Sequence, residues 1–87
     1  MKTIWKFPLK ITDEQTIRIP AGYQLLTVQM QGDVPCLWAL VDPKADLISC
    51  IIQTYGTGHP AADAGTYLAT YQVDFLVFHI FFVVDCE

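Results

Sequence analysis

Two histidines and three cysteines carry most of the ready chemistry of this chain near neutral pH. His59 sits in Tyr55-Gly56-Thr57-Gly58-His59-Pro60, a loop sequence in which two glycines permit positive φ. Such a loop can turn its backbone amides inward as an anion nest. It lacks the lysine of a P-loop and the third glycine of a dinucleotide fingerprint, and no long helix follows it. Glycines that only turn a tight corner account for it better than a phosphate nest does. Tyr55, Gly56, Thr57, Gly58 and His59 are therefore the candidate ligand loop. His79 lies inside a long apolar segment, where a buried, hydrogen-bonded histidine is expected rather than a catalytic one.

Metal binding would need three or four convergent ligands. No H-x-x-x-H or C-x-x-C spacing supplies them. Cys36 and Cys50 sit among apolar residues and read as reduced core thiols, with Cys86 near the end of the chain. A Cys50–His59 pair is formally a nucleophile and base, but an apolar setting raises a thiol's pKa rather than lowering it. No catalytic residue, no metal and no cofactor is expected. The chain reads as a binding protein, not an enzyme.

The 87 residues form one domain, 1–87, with 53% apolar and 16% charged residues. A domain this small has a thin core, so apolar surface is left over for a partner or a second copy. Net charge is −4, and four of the five basic residues (Lys2, Lys6, Lys10, Arg18) precede position 19. Beyond Lys44 there are only acids: Asp46, Asp63, Asp74, Asp85 and Glu87. Direct nucleic-acid binding needs a basic stripe that this half lacks. An acidic half suits a basic partner surface, and these five acids are the candidate partner-binding residues. The longest apolar run is about ten residues, half of what a spanning helix needs. The N-terminus has no signal-peptide core. Both point to no membrane association, and to the cytoplasm of a host cell.

Period-2 alternation must position these residues. Trp5, Phe7 and Leu9 share one face against Lys6, Pro8 and Lys10. Pro8 cannot donate to a ladder and marks an edge strand. Ile17 and Ile19 alternate, as do Leu26, Val28 and Met30 with Thr27, Gln29 and Gln31. Gln31-Gly32-Asp33 signals a hairpin, and Asp42-Pro43-Lys44 a turn. Residues 34–41 and 75–84 are apolar on both faces; the first reads as a central strand. An all-β fold is expected, a small antiparallel β-sandwich or barrel of about six to seven short strands. The doubly apolar last segment needs a second cover. Phe75, Phe78, Phe81 and Phe82 are its candidate self-association residues, in a homodimer or higher oligomer.

Several blocks, in order, resemble a family of small uncharacterised phage and prophage proteins. They are Lys2-Thr3-Ile4-Trp5-Lys6-Phe7-Pro8-Leu9, Pro20-Ala21-Gly22, Val34-Pro35-Cys36-Leu37-Trp38-Ala39-Leu40-Val41-Asp42-Pro43, the Gly-Thr-Gly-His loop and Leu76-Val77-Phe78-His79-Ile80-Phe81. The resemblance implies an all-β fold and a phage-like context, with no activity to carry over. The family pattern has basic residues before the loop; Ser49-Cys50-Ile51-Ile52-Gln53 has none. Residues 82–87 extend past the family's usual end with apolar and acidic residues. The leading expectation is a counter-defence inhibitor, anti-CRISPR in kind, that binds a host protein or ribonucleoprotein complex through an acidic surface. Two others are a small-molecule or nucleotide sponge using the loop, and a virion structural or assembly protein.

Overall fold

The computed structural model describes residues 1–84. Seven strands make two antiparallel sheets: β1 Thr3–Pro8, β2 Glu14–Pro20, β3 Gln24–Gln31, β4 Val34–Val41, β5 Leu47–Gly56, β6 Thr66–Val73 and β7 Leu76–Val84. One sheet has the order β1-β4-β3 and the other β2-β5-β7-β6. The fold is all-β and, of the two expected architectures, it is the sandwich. Among the described residues no helix is long and apolar enough to cross a membrane. Asp85, Cys86 and Glu87 lie outside the described residues.

Alternation decides which side chains enter the core. Leu37, Ala39 and Val41 of β4 face Cys50 and Ile52 of β5 and Ile80 and Phe82 of β7 within one buried cluster. β4 is central in its sheet and β1 lies at an edge, as its Pro8 requires. Cys36 and Cys50 are buried thiols. The β3–β4 hairpin turns on Gly32 at φ +62°.

Two strands depart from simple alternation. A bulge between Leu25 and Thr27 shifts β3 by one residue. Leu25 packs against the core, while Leu26, expected inside, is exposed. A second bulge, between Tyr67 and Ala69, interrupts β6. A bulge inserts one unpaired residue, so period 2 read straight through it assigns one flank to the wrong face.

The phenylalanines expected to share a contact surface divide. Phe82 is buried in the core, edge-on to Tyr23, and Phe78 packs inward beside Tyr71. Both leave the self-association set, because they alternate in phase with Ile80. Phe75 lies in the β6–β7 turn rather than in β7, and is fully exposed beside Asp74, which holds φ +55°. Phe81 alone lies on the outer face of its strand.

Two buried hydroxyls, Thr54 Oγ1 and Tyr71 OH, have no hydrogen-bond partner among the described residues. Burial raises the pKa of Tyr71. Burial, and then charge and hydrogen-bond coupling to Cys50, push Tyr23 up to about 12. Unfolded tyrosines ionise near pH 10. Above that pH the unfolded state releases protons that the folded state retains, so stability falls as pH rises from about 10 to about 12. Urea midpoints measured across this range should fall steadily, and Tyr23→Phe should flatten the slope. An unchanged slope in that variant would remove Tyr23 from the account.

Candidate functional site

Two antiparallel registers, β5 with β7 and β6 with β7, build the site on the outer face of the four-stranded sheet. Gln53 pairs with Phe81 and Phe81 with Tyr67; one step along, Tyr55 pairs with His79 and His79 with Thr70. Residues paired across antiparallel strands point to the same face. Tyr55, His79, Phe81, Tyr67, Thr70 and Gln53, drawn from β5, β6 and β7, therefore meet there.

The rings are ordered about Phe81. Tyr55 lies 5.6 Å from it at 74°, and Tyr67 lies 5.6 Å from it at 69°. Two phenol rings thus stand steeply on either side of one phenyl ring, a favoured aromatic arrangement. A cleft of about 280 Å³ opens among them, lined also by Gly56, Thr57, Gly58, His59, Ala61 and His79.

His79 is hydrogen-bonded as expected, but half-exposed rather than buried, because it shares the outward phase of Phe81. Its Nε2 lies 2.6 Å from Thr57 Oγ1 and its Nδ1 lies 3.0 Å from Thr70 Oγ1. Thr70 Oγ1 is 2.7 Å from Tyr67 OH. The four groups form a relay that is fully satisfied with its protons running in either direction. It fixes the imidazole and the Tyr67 ring together. The Thr57–His79 spacing is that of a hydroxyl and its base. The neighbouring amides do not complete an acyl-transfer site, however. Thr57 N donates to Val77 O and His59 N to Gly56 O.

Those two bonds also weaken the anion-nest expectation for the loop. Gly58 has φ +88°, a conformation that favours glycine, whereas Gly56 sits close under the His59 ring. A Cβ on Gly56 would meet the His59 ring at 3.0 Å. The corner-turning reading of the glycines is therefore the one that the backbone supports. No Lys or Arg lines the cleft.

The outer face has a cover from within the chain. Residues 57–65 fold back over β5 and β7. Gln53 clamps this segment from below, accepting from Gly65 N at 2.8 Å and donating to Asp63 O at 3.4 Å. Sequence reading gave no role to Gln53, Tyr67 or Thr70. Only the strand register brings them to the loop, and no local pattern reveals it. A neighbouring recess of about 290 Å³ shares Tyr55 and His59 and adds Asp13, Glu14, Gln53, Thr54 and Pro60.

Among the described residues the acids do not form one surface. Asp46 precedes β5 and Asp74 lies beyond its other end, in the β6–β7 turn. A ten-residue strand separates them by about 30 Å. Asp63 rides on the loop, and Asp85 and Glu87 lie outside the described residues. Among the described residues no three His, Cys, Asp or Glu side chains converge to hold a metal.

A family model described as a domain of unknown function, DUF7352, matches residues 1–86. The chain belongs to this family. The match spans both sheets and every element of the cleft, so the site lies wholly within the family domain. Comparison with the curated proteins and with the solved structures finds no match in either.

Proposed function

We propose that this protein is a non-enzymatic binding domain whose ligand enters the cleft between Tyr55, Phe81 and Tyr67. One observation carries the reading: three rings, a self-satisfied histidine relay and a clamped loop converge on one concave surface from four separate segments of chain. Small-ligand sites combine apolar walls with a few fixed polar groups in this way. The polar groups are already oriented, so binding spends little freedom on ordering them.

The loop reading gains on the acidic-surface reading. An inhibitor that occupies a basic channel of a host complex needs its acids on one face, and Asp46 and Asp74 stand at opposite ends of β5. A host target in a phage setting stays compatible with the cleft, which can receive a protruding side chain as well as a free molecule.

A fragment screen by aromatic and backbone NMR shifts tests the proposal. Hits should perturb Tyr55, Tyr67, Phe81 and His79 together, and Tyr67→Leu should abolish the perturbation at the other three. A screen of neutral, cationic and anionic fragments that leaves these four resonances unmoved would sink it.

A further inference from the structure

The ring geometry and the charge around the cleft narrow the ligand class. We infer that the cleft is a cation cage, and that its ligand carries an alkylated ammonium group. The inference rests on the proposed binding role of the same cleft.

Three observations point this way. First, three aromatic rings wall the cleft, two of them at steep inclination to Phe81. Phe81 lies between two phenols steeply inclined to it, each 5.6 Å away. Each edge-to-face pair occupies only one ring face, and a cation seated against the faces left open meets a negative quadrupole within about 6 Å of a centroid. Flat stacking of a heteroaromatic ring would favour parallel walls instead.

Second, the His79 relay beside the rings is spoken for, which among the described side chains of the cleft leaves only Tyr55 OH and the His59 ring to meet a ligand's polar groups. His79 uses both ring nitrogens on Thr57 and Thr70, and Tyr67 OH is held by Thr70. A ligand that demanded many strong hydrogen bonds would exceed these two groups and have to break the relay. A methylated ammonium demands few, because its charge sits under carbon.

Third, the fixed charges near the cleft favour cations over anions. No Lys or Arg lines the cleft. Asp13 and Glu14 line the recess on the far side of Tyr55 and His59, and Asp63 lies on the covering loop. Lys10, on the same connection as Asp13, lines neither space. A cation therefore approaches through a negative field, while the cage itself contributes no counter-charge that a bare ammonium or metal ion would need.

The test uses NMR titration of the intact chain with tetramethylammonium and choline, and with 3,3-dimethylbutan-1-ol, the neutral carbon analogue of choline. A trimethyllysine peptide and its unmethylated form make a second pair. The cations should shift Tyr55, Tyr67 and Phe81, and the neutral analogue should bind about tenfold more weakly. Tyr67→Leu, at a largely exposed ring, should remove cation binding while the rest of the spectrum stays folded. If the peptide binds far more tightly than choline, the ammonium is presented by a protein; the reverse order marks a free small molecule. Equal binding of cation and neutral analogue would overturn the cation assignment and leave the cleft standing. So would aromatic fragments that bind where the cations do not. Silence from every probe would take the binding role down as well.

Discussion

Leu37→Ala should lower the melting temperature far more than Leu40→Ala. Leu37 is fully buried at the middle of β4, with Phe7 and Val28 as its cross-strand neighbours on either side. Truncating a buried leucine removes its transfer energy and leaves a cavity, together about 3 kcal/mol. For a domain this size that is ~12–24 °C in Tm. Total stability is expected at only ~4–13 kcal/mol, so the loss is a large share of it. Leu40→Ala, three residues along on the opposite face and only half-buried, should cost about 1 kcal/mol or less. Thermal unfolding of the pair by circular dichroism checks both. Equal losses would mean that the outer face of β4 is as closely packed as the inner one.

That comparison also marks how far alternation could be read. Where one face is polar, as in Trp5-Lys6-Phe7-Pro8, the buried side is legible directly. In β4 both faces are apolar, and composition cannot say whether Leu37 or Leu40 points inward. Only pairing with β1 and β3 decides it. β7 poses the same problem: proximity in sequence groups its phenylalanines, although Phe78 and Phe82 belong to one face and Phe81 to the other. The bulges at Leu25/Thr27 and Tyr67/Ala69 have no signature in a single sequence, so the phase of β3 was lost at Leu26.

The site was legible only in its loop. Two glycines and a histidine in six residues stand out locally, and the loop does line the cleft. Its partners are distant: Thr57 meets His79 across 22 residues, and Gly65 meets Gln53 across 12. Such contacts follow from the β5-β7-β6 order, in which the last strand inserts between its two predecessors. No periodicity encodes that order. The described acids show a related limit, since a shared place in the chain's second half does not put Asp46 and Asp74 at one end of a sandwich.

Gly65→Val should be the most damaging change outside the core, and it should also disable the cleft. A Cβ at this position would lie 2.5 Å from the carbonyl oxygen of Phe82 and 2.5 Å from Val83 Cγ2. The oxygen belongs to the β7 backbone, which is paired on both sides and cannot yield. The segment must therefore lift, breaking the Gly65–Gln53 bond and withdrawing Ala61 from the cleft wall. Overpacking of this kind costs about 3 kcal/mol at the upper end of its range. Gly58→Ala is the control, because its Cβ would meet nothing within 4 Å and pays only for φ +88°, about 1 kcal/mol. The two glycines thus separate steric from torsional need. Gln53→Ala releases the same clamp from the other side, so its effect and that of Gly65→Val should sum to more than the double variant loses. A strictly additive double variant would show that the loop is held by something other than this amide. In that case the covering segment and the aromatic cleft beneath it would be independent features.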